Sequence, residues 1–121
     1  MTLASARVLV VEDEMLIALD LADLVEGGGG VVMGPAASVK DALKLVEQDA
    51  PDAAILDVNL ADGEVTPVLD ALLARKVPVL LYTGGGATAE ILLRKPDIAI
   101  IRKPARSGQI LSSLTSLLAA G

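Results

Sequence analysis

Short apolar runs alternate with stretches of helical periodicity along the chain. Arg7-Val8-Leu9-Val10-Val11 is apolar and rich in β-branched residues, and it stops at Glu12-Asp13-Glu14. Such a run suits a strand buried on both faces. The spacing then predicts a helix over 14–26, with Ile17, Leu21 and Leu24 on one face and Asp20, Asp23 and Glu26 on another. Gly27 through Gly30 end it, because glycine suits a left-handed cap and opposes continuation. Val31-Val32-Met33-Gly34-Pro35 reads as a strand stopped by the proline. Ser38 caps a second helix reaching Gln48, striped by Val39, Ala42, Leu43 and Val46. Ala53-Ala54-Ile55-Leu56 is a third buried strand ending at Asp57. After a loop with Asp62-Gly63, a helix over 64–75 carries Val65, Val68, Leu69 and Leu72. A strand over 77–82 tolerates Pro78 near its start. A short helix over 87–94 follows three glycines, then a strand over 98–101, then a helix from Ser107 with Ile110, Leu114, Leu117 and Leu118 in one stripe.

Strict alternation of buried strands and helices implies an α/β domain with a parallel sheet. Right-handed crossovers limit its topology. Five strands fall short of the eight that close a β/α barrel, so an open, doubly wound five-stranded parallel sheet with five helices is expected.

Composition narrows the chemistry. The 121 residues include no Cys, His, Trp or Phe and a single Tyr, with a net charge of −6. The length fits one domain, 1–121. The 53% hydrophobic content supplies a core that must be aliphatic. Disulfides, cysteine nucleophiles, histidine triads and zinc-finger sites are excluded. The acidic balance argues against a nucleic-acid or anionic-membrane surface, and the lack of aromatics argues against base stacking. No signal-peptide pattern or membrane-length apolar stretch is present, so a cytoplasmic protein is expected.

Ligands of an open parallel sheet bind beyond the carboxyl ends of its strands. Glu12 and Asp13 follow the first strand there, Asp57 the third, Thr83 the fourth, and Lys103-Pro104 the fifth. Taken singly, each has a structural explanation: acids favour helix starts, and an Asp or Thr beside glycines caps turns. Their conjunction at one edge carries the signal. Close carboxylates repel, and a hard divalent cation relieves them; oxygen ligands suit magnesium, which shares its shell with phosphoryl groups. Lysine and threonine can hold such a group, and a carboxylate can accept it as an aspartyl phosphate.

With Val-Val-Glu-Asp-Glu at 10–14, Ile-Leu-Asp-Val-Asn-Leu at 55–60, Leu-Tyr-Thr-Gly at 81–84 and Arg-Lys-Pro at 102–104, the chain resembles the receiver domain of bacterial response regulators from about Arg7 to Leu118. The resemblance implies a flavodoxin-like sheet of order 2-1-3-4-5. It implies Asp57 as phosphoacceptor, with Thr83 and Lys103 holding the phosphoryl group. Mg2+ would be bound by Asp13 and Asp57, by Glu12 through water, and by the backbone carbonyl of Asn59. A cis peptide at Lys103-Pro104 is implied too. The donor would be a histidine kinase or histidine phosphotransfer protein. The Thr-Gly-Gly-Gly stretch is similar to that of a narrower group of single-domain receivers, whose Phe-Ala before the Thr is Leu81-Tyr82 here.

Two departures matter. The aromatic switch residue usual in receivers three positions before the lysine is Ile100. Three glycines precede the fourth helix, so the segment from Gly84 to about Ile91 is expected to be mobile and to become ordered on activation. Position 85 offers no side chain to orient a water, so self-dephosphorylation is expected to be slow. With no output domain in the sequence, signalling would pass to a downstream protein target through the fourth helix, fifth strand and fifth helix, with Leu92, Leu93, Leu111 and Leu118 as apolar contacts. The same face would serve a homodimer. Alternatives are a small aspartyl-phosphate phosphatase or phosphotransferase, disfavoured by Asn59 where an acid is needed, and an FMN-binding flavodoxin, disfavoured by Glu-Asp-Glu after strand one. A receiver fragment of a hybrid histidine kinase is a third; a starting Met1 favours a complete chain.

Overall fold

The computed structural model describes residues 2–120. Its elements run β1 (Arg7–Val11), α1 (Met15–Gly27), β2 (Val31–Ala36), α2 (Val39–Gln48), β3 (Ala53–Leu56), β4 (Asn59–Leu60), β5 (Gly63–Glu64), α3 (Thr66–Ala74), β6 (Val79–Thr83), α4 (Ala89–Arg94), β7 (Ala99–Arg102) and α5 (Ser107–Ala120). The main sheet has the order β2-β1-β3-β6-β7, all parallel. Counting only its own strands, this is the expected 2-1-3-4-5.

Strand residues alternate between two cores. Leu9, Val11, Ala54, Leu56, Val79 and Leu81 face α2, α3 and α4. Val8, Val10, Ala53, Ile55, Leu80 and Tyr82 face α1 and α5. The period-two geometry of a strand divides one apolar run between both layers. It leaves the carboxyl ends of β1, β3 and β6 at one edge, with Glu12 and Asp57 directly after the first two and Thr83 as the last residue of the third.

Three details depart from the sequence expectations. First, β2 continues through Pro35 to Ala36, with the Gly34–Pro35 peptide cis. The strand lies at the sheet edge, where proline's missing N–H is tolerated. Gly34 is at φ +92°, and a Cβ there would lie 2.7 Å from the Ala36 nitrogen. The pairing register shifts between Leu9 and Val11, and the Glu12 N–H bonds the Ala36 carbonyl at 2.9 Å.

Second, the inward face of α1 is broader than the Ile17–Leu21–Leu24 stripe: Leu21 is buried and Ile17 and Leu24 are partly buried against the core, but Ala18, Ala22 and Val25 are buried as well. Small alanines let the helix lie close to the sheet. Met15, Leu16 and Leu19 are left exposed, Leu16 to 79%.

Third, the loop after Asp57 is an antiparallel hairpin, β4 with β5, which periodicity cannot detect at two residues per strand. It also caps a neighbouring helix. The Asp62 carboxylate accepts from the N–H groups of Val39 and Lys40 at 2.8 and 3.2 Å, while Ser38 Oγ accepts from Asp41 at 3.1 Å. These donors are otherwise unpaired at a helix start. The Val39 N–H, outweighing desolvation and aided by Lys40, holds the Asp62 pKa below its ordinary value.

Candidate functional site

Four strand ends build the site. Glu12 and Asp13 leave β1, Asp57 leaves β3, Thr83 ends β6 and Lys103 follows β7. Backbone bonds fix their mutual height: the Asp57 N–H bonds the Val11 carbonyl at 2.9 Å, and the Lys103 N–H bonds the Thr83 carbonyl at 3.0 Å. The Lys103–Pro104 peptide is cis, as the sequence resemblance implied.

Carboxylate oxygens of Glu12, Asp13 and Asp57 lie within 4.8 Å of one another. Glu12 is buried, Asp57 half-buried and Asp13 exposed. Lys103 Nζ stands 2.5 Å from Glu12 Oε1 and 3.1 Å from Asp57 Oδ2. Asp57 Oδ1 accepts from the Val58 N–H at 2.8 Å, and Glu12 Oε2 accepts from Glu14 at 3.2 Å. Glu12 Oε1 is buried, and the Lys103 ammonium is the group that meets it.

Burial pushes the Glu12 pKa up, and the neighbouring Asp57 charge adds to this; Lys103 and the Glu14 N–H pull the other way without cancelling it. For Lys103, burial opposes the charged form, but Glu12 and Asp57 outweigh it and the pKa is raised. Three carboxylates against one ammonium leave an excess of negative charge that suits a divalent cation. The all-oxygen donor set of three carboxylates fits Mg2+.

Thr83 is buried, and its Oγ1 accepts from the Gly85 N–H at 3.3 Å, leaving its own proton to donate. Gly84 and Gly85 have open space where a side chain would stand. Asn59 begins β4, exposed, two residues beyond Asp57. Glu12, Asp13, Asp57, Asn59, Thr83 and Lys103 therefore lie at or beside the carboxyl ends of the strands.

Two features escaped sequence reasoning. One is the exposed apolar face of α1 next to Asp13. The other is a link from the hairpin to α4. Glu64 Oε1 accepts from Thr66 at 2.6 Å and from Thr88 at 3.0 Å, and Thr88 also caps α4 by accepting from the Ile91 N–H at 3.3 Å. Of the four leucines expected at the surface, Leu92 and Leu93 are exposed, together with Ile100. Leu111 and Leu118 are instead partly buried against the α1–α5 core. An α5 stripe leans on the sheet, whereas α4 touches it mainly through Ile91.

Comparison with known proteins agrees with this geometry. The solution structure of SdrG from Sphingomonas melonis Fr1 is 39% identical, with a TM-score of 0.80, over 95% of this chain and 98% of that one. The receiver domain of the PhyR response regulator from Erythrobacter litoralis is 29% identical, with a TM-score of 0.82, over 96% and 92%. The phyllosphere-induced regulator PhyR of Methylorubrum extorquens is 40% identical over 82 residues, 65% of this chain and 31% of that protein. The chain thus spans about a third of the length of the curated relatives it matches. The model of the response regulator receiver domain matches residues 8–115, and the chain belongs to that family.

Proposed function

We propose that this domain accepts a phosphoryl group on Asp57 from a phosphohistidine of a histidine kinase or phosphotransfer protein, in a Mg2+-dependent reaction. One observation carries the reading: Lys103 bridges Asp57 and Glu12 inside a cluster of three carboxylates. In the transfer, an Asp57 oxygen attacks phosphorus in line. The P–N bond to the donor histidine breaks as the O–P bond forms, and the electron pair stays on the imidazole nitrogen. Lys103 meets the charge on the phosphoryl oxygens, and Thr83 donates a hydrogen bond to them. Val58 holds the other Asp57 oxygen in place. Asp13, Asp57, Glu12 through water and the Asn59 carbonyl would hold Mg2+, which supplies charge neutralisation between the carboxylates and the phosphoryl group.

The exposed Met15, Leu16 and Leu19 of α1 begin two residues after Asp13 and offer apolar contact to the donor protein. Output passes to a protein partner, or to a second copy of the domain, across α4, β7 and α5, where Leu92, Leu93 and Ile100 are exposed. The reading places the domain in the cytoplasm, as a signalling module with slow self-dephosphorylation.

Incubation with acetyl phosphate and Mg2+, followed by phosphate-affinity electrophoresis, should give one hydroxylamine-labile species. Asp57→Asn should abolish it. An undiminished species in that variant, or none in the wild type with any kinase of the source organism, overturns the assignment.

A further inference from the structure

The one aromatic residue of the sequence sits beneath the phosphoryl-binding lysine. Tyr82 is the penultimate residue of β6, paired with Ile101 of β7, and is buried among Val8, Val10, Ile55 and Ile110. Lys103 Nζ lies over its ring, 5.8 Å from the centroid. Its hydroxyl oxygen accepts from the Ala105 N–H at 3.2 Å. One side chain therefore touches both sides of Pro104. The ring supports the ammonium, and the hydroxyl pins the backbone just beyond. Tyr82 also lines a cleft of about 670 Å³ between α1 and the segment leading into α5, so its polar end sits at a border with solvent.

An aliphatic residue would fill the core as well as Tyr82 does, without either contact. The hydroxyl is informative in this respect: a buried phenol needs a partner, and this one takes an N–H belonging to the connection that carries Lys103. The ammonium answers to three fixed directions, Glu12, Asp57 and the ring face. A face-on aromatic draws a cation electrostatically without supplying a competing carboxylate.

We infer that Tyr82 is a positioning residue for phosphoryl transfer, holding Lys103 at the height where it meets the incoming group. The inference rests on the reading of Asp57 as phosphoacceptor. Tyr82 meets the site through Lys103 and through the backbone at Ala105. Its loss therefore reaches the phosphoryl group through Lys103, and an ammonium released from Glu12 and Asp57 does not weaken metal binding.

The test uses Tyr82→Phe, which keeps the ring, and Tyr82→Leu, which removes both contacts. Mg2+ affinity, urea midpoint and the rate of phosphorylation at saturating acetyl phosphate are measured for each. Tyr82→Leu is expected to lower the rate about fivefold with no loss of Mg2+ affinity. Tyr82→Phe is expected to recover most of the rate while the Ala105 amide exchanges faster. A general loosening would weaken metal binding in step with rate, and that result overturns the inference, as does a wild-type rate in Tyr82→Leu.

The lone tyrosine is also its own probe. Its emission should change when beryllofluoride, a phosphoryl stand-in, is added with Mg2+, and the change should shrink in Lys103→Met. An unaltered response in Lys103→Met counts against coupling through the lysine. Failure of Asp57 itself is distinguishable: acyl phosphate would then persist in Asp57→Asn or be absent from the wild type, whatever residue stands at position 82.

Discussion

Replacing Lys103 by Met removes the ammonium from the carboxylate cluster and keeps most of the aliphatic stem. The side chain is 14% exposed, with Nζ 2.5 Å from Glu12 and 3.1 Å from Asp57. Breaking a buried pair from one side costs ~3–5 kcal/mol, because the remaining charge is left uncompensated. The residual exposure of Lys103 places the expected loss at the low end, ~3 kcal/mol. With a urea slope of ~1–3 kcal/mol/M, the unfolding midpoint should fall by ~1–3 M, read by far-UV circular dichroism in EDTA.

The pH dependence identifies the cause. Lys103 has a raised pKa, so its contribution is complete below its unfolded value and is lost only as pH rises through the folded one. It is therefore present throughout the neutral and mildly acidic range. Glu12 has a raised pKa as well, so it takes up a proton early on acidification and no longer needs a counter-charge. The gap between wild type and variant should thus be wide at neutral pH and narrower at acidic pH. Mg2+ should narrow it too. A loss of the same size in both pH ranges, indifferent to Mg2+, would mean that Lys103 acts by packing and would refute the electrostatic reasoning.

Three further outcomes are expected. Mg2+ at 100 times its dissociation constant should stabilise the wild type by ~2.7 kcal/mol, with a smaller shift in Asp13→Asn, measured by thermal unfolding. Asp62→Ala should expose the N–H groups of Val39 and Lys40 and lower stability at neutral pH. Because the Asp62 pKa is lowered, its contribution is present above the unfolded value and fades as pH falls through the folded one, so urea curves of the two proteins should converge in acid. Beryllofluoride should increase hydrogen-exchange protection across residues 84–93, where exposed glycines precede a six-residue α4; unchanged protection would remove this loop from the activation mechanism.

The strand runs were legible because burial on both faces demands continuous apolar residues. Val8–Val11 and Ala53–Leu56 admit no amphipathic alternative. The site was legible for a related reason: a polar residue directly after such a run lies at the strand's carboxyl end, and four strands with the same polarity bring those ends together. Pro35 misled because the rule that proline stops a strand depends on whether the strand is central or at an edge, a property of the sheet. The α1 stripe was right but incomplete, because a helix of high apolar content offers several faces, and the small volumes of Ala18 and Ala22 let it settle closer to the sheet on a broader one.

The sequence by itself determined an aliphatic α/β domain with acids, a hydroxyl and a lysine at one sheet edge, since chain-local periodicity and residue chemistry suffice for that. Only the tertiary structure decided how the parts are joined. Lys103 meets Asp57 from 46 positions away, and Glu64 reaches Thr88 across 24. Tyr82 lies beneath Lys103 because β6 and β7 are neighbours in the sheet. Such contacts depend on sheet order, register and side-chain direction together, and none of these is a property of any single stretch of chain.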